Sequence, residues 1–81
     1  MPSKSVVVAS SVGLHARPAA LIAEAAEGLG STVTINGVDA GSSLMIMTLG
    51  AKCGDTVEVA GADQSAVDAI AALVERDLDA D

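Results

Sequence analysis

Thr32-Val33-Thr34-Ile35-Asn36-Gly37-Val38 decides how this chain folds. Polar and apolar residues alternate up to Asn36-Gly37, the pair that a tight type I′ hairpin prefers because both central residues need positive φ. A strand, a two-residue turn and a short return strand through Val38 are expected there. An all-helical chain has no use for such a segment.

On the amino-terminal side, Ser5-Val6-Val7-Val8-Ala9 is β-branched and bounded by polar residues, which predicts a buried strand. From Ala16 the period changes: Leu21, Ile22, Ala25, Ala26 and Leu29 recur at three- and four-residue steps, a helix with one apolar stripe, which Gly28 and Gly30 would end. On the carboxyl side, Ser42-Ser43 supplies an N-cap before Leu44-Met45-Ile46-Met47, and Gly50 closes a helix of one to two turns. After Gly54-Asp55, Thr56-Val57-Glu58-Val59 alternates as a strand with Val57 and Val59 inward. Val67, Ile70, Leu73, Val74 and Leu78 then share one face of a last helix, with Ser65 and Asp68 at capping-box spacing. The order β-α-β-β-α-β-α predicts an α+β fold: a four-stranded antiparallel sheet covered on one face by three helices.

Composition narrows the class. At 81 residues a single domain over residues 1–81 is expected, too small for a second core. With no Phe, Tyr or Trp, the core must be packed from small and branched side chains, and base stacking on aromatics is excluded. A net charge of −7, with Lys4, Arg17, Lys52 and Arg76 the only cations, opposes nucleic-acid binding. One cysteine, Cys53, and one histidine cannot furnish a disulfide or a tetrahedral zinc site. Glu75, Asp77, Asp79 and Asp81 follow no calcium-loop spacing and read as a solvated helix face and tail. No metal and no cofactor are expected. Neither a signal peptide nor a membrane span is indicated, so a soluble cytoplasmic protein is expected.

Chemistry concentrates at Gly13-Leu14-His15-Ala16-Arg17-Pro18. A lone histidine in a small domain is ordinarily a surface or structural residue, but this one stands where a strand gives way to a helix. The first N–H groups of a helix lack intrahelical partners and carry the positive end of its dipole, which favours an anion by about 0.3–1 kcal/mol. Gly13 permits close backbone approach, Arg17 offers a fork of donors suited to phosphate oxygens, and the helix start disfavours imidazolium. Ala16 and Arg17 would hold the phosphate that a neutral His15 accepts. Pro18 is tolerated in the first turn but biases Arg17 away from ideal helical angles, so an irregular helix start is expected.

The chain resembles the HPr family, the histidine-containing phosphocarriers of the bacterial phosphoenolpyruvate:sugar phosphotransferase system. Gly13-Leu14-His15-Ala16-Arg17-Pro18-Ala19 is similar to its active-site signature, and Ser42 followed by Met47-Thr48-Leu49-Gly50 resembles its regulatory region. The resemblance spans essentially the whole chain. It implies an open-faced β-sandwich and a carrier that is not itself an enzyme, a monomer cycling through a phosphohistidine. Phosphorylated enzyme I would pass its phosphoryl group to Nδ1 of His15, which passes it to a sugar-specific enzyme IIA, while Arg17 contacts the phosphate and repositions during transfer. A paralogue serving a fructose-specific or nitrogen-related branch is the alternative. Which sugars and which enzyme IIA proteins are served lies in the partners.

Ser42 has two readings: a helix N-cap worth about 1 kcal/mol, or, as the resemblance implies, the acceptor for an ATP-dependent serine kinase whose product can recruit a transcription regulator. Gly41 stands where relatives usually carry lysine and Ser43 where they carry an apolar residue, which makes Ser43 a competing acceptor. Leu44, Met45, Ile46 and Met47 cannot all face inward from one short helix; Leu44, Met45 and Met47 are the expected docking patch for enzyme I and enzyme IIA. Met45 replaces a residue that is often basic in relatives, which weakens electrostatic steering. The stretch between His15 and Ser42 is several residues shorter than in most relatives, trimming one strand pair.

Two other classes fit less well. An acyl carrier also is small and acidic with Ser-Leu at a helix start, but that family is all-helical. A ferredoxin-like metal chaperone shares part of the element order and would need the Cys-x-x-Cys loop that is missing here.

Overall fold

The computed structural model describes residues 2–11 and 13–76. They form β1 (Ser3–Val7), α1 (Arg17–Leu29), β2 (Val33–Ile35), β3 (Val38–Asp39), α2 (Ser43–Thr48), β4 (Thr56–Gly61) and α3 (Gln64–Glu75). The four strands make one antiparallel sheet in the order β1-β4-β2-β3, and helices pack on the sheet's inner face. This is the α+β open-faced arrangement expected. Leu78, placed on the last helix's stripe, and Asp77, Asp79 and Asp81 lie outside the described residues.

Strand limits follow cross-strand partners more than local composition. β1 begins at Ser3 and ends at Val7, two residues earlier than Ser5–Ala9, because it pairs with β4 from Ser3 opposite Ala60 to Val7 opposite Thr56. β4 in turn runs past Val59 to Gly61, which lies opposite Val33 and donates its N–H to Pro2 O at 3.1 Å. Beyond β1 the chain stays tied down without being a strand: Val8 donates to Asp55 O at 2.8 Å, Ala9 to Val74 O at 3.2 Å, and the buried Ser10 hydroxyl to Arg76 O at 3.3 Å.

The turn at Asn36-Gly37 has φ of 49° and 86°, the positive values a type I′ hairpin requires. The strands it joins are short, with Thr34 opposite Asp39 and Ile35 opposite Val38. Asn36 also braces the neighbouring strand, its Oδ1 accepting the Glu58 N–H at 2.8 Å.

Alternation puts Val6, Val33, Ile35, Val57 and Val59 on the covered face, where they are buried. Ser5, Val7, Thr56 and Glu58 are exposed on the other. Ile22 of α1, Ile46 of α2 and Val67, Ile70 and Val74 of α3 complete the core. Each such side chain contributes roughly 1.5–3 kcal/mol when fully buried.

The buried line of α1 is Ala19, Ile22, Ala23 and Ala26, rotated from the leucine-rich stripe expected. Leu21 is half-buried and Leu29 is 40% exposed. Alanines on the inner side let the helix approach its neighbours closely, which displaces the bulkier leucines to the border. Gly30 ends α1 in the left-handed conformation, while Gly28 stays within its last turn. On α3 the cap is Asp63, whose Oδ1 accepts from Ser65 N–H at 3.0 Å, and not Ser65 itself. Asp68 accepts from Gln64 Nε2 at 2.8 Å instead of closing a capping box.

Candidate functional site

The loop before α1 is fastened by its backbone. Gly13 donates to Ser10 O at 2.8 Å and Leu14 to Ala51 O at 3.0 Å, while the Leu14 side chain is fully buried. Gly13 has φ of 76°, and a Cβ there would collide with the Ala51 carbonyl and come within 2.9 Å of Lys52 Cα. The close backbone approach that glycine permits at this position is made between two loops of the protein.

His15 follows Leu14 and is exposed, as are Ala16 and Arg17; the next residues, Pro18 and Ala19, are buried. The imidazole therefore projects from a short exposed step between two anchored points. Ala16 is the N-cap of α1 with φ 47° and ψ −112°, an unusual backbone for a residue with a Cβ, and Ala20 closes the first intrahelical bond to its carbonyl at 3.0 Å. The irregularity anticipated at Arg17 from Pro18 falls one residue earlier, at Ala16, and Arg17 is already helical.

Cap chemistry separates the three helices. Ser42 Oγ accepts from Met45 N–H at 3.3 Å at the head of α2, and Asp63 caps α3, but Ala16 has no side chain able to cap α1. Helix geometry leaves the first N–H positions without intrahelical partners; Pro18 has no hydrogen to offer there, and the N-cap supplies no side-chain bond. Thirteen residues of aligned peptide dipoles end here. Arg17, the first helical residue, adds the only cationic side chain of that helix. An exposed imidazole, a helix dipole end and an arginine thus follow one another at the head of α1.

α2 packs beside α1 and carries the remaining candidates. Ser42 sits at its head, its N–H donating to Asp39 O at 3.2 Å, while Gly41 N–H donates to Asp39 Oδ1 at 2.9 Å. Asp39 was not singled out by sequence; an Asp two residues before a Gly and three before a Ser is the signal that could have revealed this turn. Leu44 and Met45 are 67% and 43% exposed, Ile46 is buried and Met47 is half-buried against the core. The exposed apolar patch of α2 is thus mainly Leu44 and Met45.

Cys53 is exposed, its thiol 3.8 Å from Ala9 O. Among the described residues, no group of three His, Cys, Asp or Glu side chains could hold a metal ion, and no helix is long and apolar enough to cross a membrane.

The chain is similar to known proteins along most of its length. Residues 2–76 match the family model described as the PTS HPr component phosphorylation site. The fold is similar to HPr-C-His from Thermoanaerobacter tengcongensis, with a TM-score of 0.83 and 30% identity over 93% of this chain and 92% of that one. It is similar also to the phosphocarrier protein HPr from Bacillus anthracis str. Ames, with a TM-score of 0.83 and 31% identity over 90% of this chain and 95% of that one. A histidine-containing phosphocarrier protein from a mycoplasma aligns with a TM-score of 0.70 and 27% identity over 91% and 88% of the two chains.

Proposed function

The chain belongs to the HPr component family of the phosphotransferase system, and from that premise we propose that it relays phosphoryl groups through His15, from phosphorylated enzyme I to a sugar-specific enzyme IIA. What supports the reading most is the exposed His15 one residue before a helix N-cap that has no capping side chain.

The neutral ring attacks with the Nδ1 lone pair and keeps its proton on Nε2. A bond from Nδ1 to phosphorus forms as the bond from phosphorus to the donor's histidine breaks, and the donor's imidazole leaves with that electron pair. Transfer to enzyme IIA runs the same exchange with His15 as the leaving group. Phosphoryl transfer depends mostly on positioning and charge stabilisation, so a carrier this small needs little machinery beyond an accessible ring, the dipole of α1 and Arg17. Every turnover consumes and regenerates the phosphohistidine, which makes the protein a stoichiometric carrier in the cytoplasm. Leu44 and Met45, exposed on the helix beside α1, serve as the apolar contact for both partners, with Met47 behind them.

Intact mass after incubation with enzyme I and phosphoenolpyruvate tests this. One added phosphoryl group, lost in acid and retained in base, is expected on the native chain and absent from His15→Ala. An alanine variant that still acquires an acid-labile phosphate, or a native chain that acquires none, refutes the assignment. Because His15 is exposed, the substitution should change stability by no more than about 0.5 kcal/mol.

A further inference from the structure

Two exposed lines run side by side away from the acceptor loop. On α1, Arg17, Ala20, Glu24 and Glu27 follow at three- and four-residue steps and are all exposed, so they form one stripe down the helix. On α2, Leu44 and Met45 are the exposed apolar pair. Their helices pack together, and the junction shows at the far end of the stripe: Glu27 lines the same shallow pocket as Asp39 and Gly41, the residues that lead into the α2 cap. Glu27 and Asp39 thus flank the segment that leads into α2, and Glu24 lies one turn along the same stripe of α1.

Cations lie elsewhere. Lys4 is on β1, 3.9 Å from Glu75, and Arg76 follows α3. Arg17 opens α1 and the Lys52 backbone lies against Gly13, so these two cationic residues flank the loop that carries His15. The surface is thus divided, with positive charge where phosphate must sit and negative charge where a protein partner would seat its rim. A partner with an acidic border would be repelled by this edge, and one with a basic border would be drawn to it.

Resting on the carrier reading above, we infer that the enzyme I serving this carrier docks an apolar hollow onto Leu44 and Met45 and presents a lysine- or arginine-rich rim to Glu24, Glu27 and Asp39. Rim charges act on the rate of encounter and its salt dependence more than on the chemical step.

The test follows phosphoryl arrival at His15 from the cell's own enzyme I and phosphoenolpyruvate, with carrier concentration varied at about 0.05 M and about 0.5 M salt. The KM for the native carrier should rise several-fold with salt. Glu24→Lys with Glu27→Lys should raise KM about tenfold at low salt with kcat unchanged, and the gap should close at high salt. Glu58→Lys, a single charge reversal on the open sheet face, should leave KM within about twofold of native, whereas Glu24→Lys alone, the same change of net charge, should raise it beyond that. A KM that falls on reversal at α1, that ignores salt, or that responds equally to Glu58→Lys overturns the basic-rim partner while the carrier reading stands. Failure of the native chain to gain an acid-labile phosphate overturns both.

Discussion

Leu14 and Ala51 are joined by a backbone hydrogen bond of 3.0 Å, and the residue before Leu14 is a glycine whose missing Cβ leaves room for that same Ala51 carbonyl. The loop that carries His15 thus depends on a contact between residues nearly forty positions apart in the chain. Gly13→Ala would force a side chain both into the Ala51 carbonyl and onto a backbone at φ 76°. Its unfolding free energy should fall by about 2–4 kcal/mol, read from chemical denaturation followed by circular dichroism. A loss under about 0.5 kcal/mol would mean that the two loops part at little cost.

Asn36 performs two tasks that two substitutions separate. Asn36→Gly keeps a backbone suited to φ 49° but removes the acceptor of the Glu58 N–H, so it should cost about 1 kcal/mol. Asn36→Ala loses the bond and adds the strain of a left-handed alanine, for a total of about 2–3 kcal/mol. Equal urea midpoints for the two variants would show that the turn conformation carries no penalty here.

Ser42 holds the Met45 N–H at the head of α2. Ser42→Ala should lower stability by about 1 kcal/mol, and Ser42→Asp should restore most of it because aspartate caps equally well. Ser43 lies inside the helix, and its replacement by alanine should be neutral or slightly stabilising. Midpoints of thermal unfolding decide the order, since 1 kcal/mol shifts the melting temperature of a domain this size by about 4–8 °C.

Arg17 is exposed, and the part proposed for it in phosphoryl transfer is read from transfer rates. Arg17→Ala should slow passage of the phosphoryl group to enzyme IIA by about tenfold or more, and Arg17→Lys should recover only part of the rate because an ammonium cannot present the planar fork. Rapid-quench measurement of phosphohistidine decay on mixing with enzyme IIA gives both rates. Arg17→Ala decay as fast as native would remove the guanidinium from the mechanism.

The sequence was most readable where local geometry and packing agree. Asn36-Gly37 announced its turn, the alternation at Val57 and Val59 gave the inward face of β4, and Ser42 appears where a cap was expected. What could not be read depended on partners distant in sequence. β1 starts at Ser3 because Ala60 lies opposite it, and β4 extends to Gly61 because Val33 does. Period alone favoured Leu21 and Leu29 for the core, whereas close packing favoured Ala19 and Ala23. At the site, His15 and Arg17 stood out by residue type, but the anchoring by Ala51 and the Asp39 turn before α2 involve ordinary residues whose use only three dimensions reveal.

A core built of valine, isoleucine, leucine and alanine, in a chain with no ring larger than one imidazole, leaves the protein nearly dark in the near ultraviolet. Its concentration must be read from peptide absorbance, and intrinsic fluorescence cannot follow its unfolding. In a mixture, the same darkness is useful: tryptophan emission comes entirely from the other component, so an unlabelled partner can report its own encounter with this carrier.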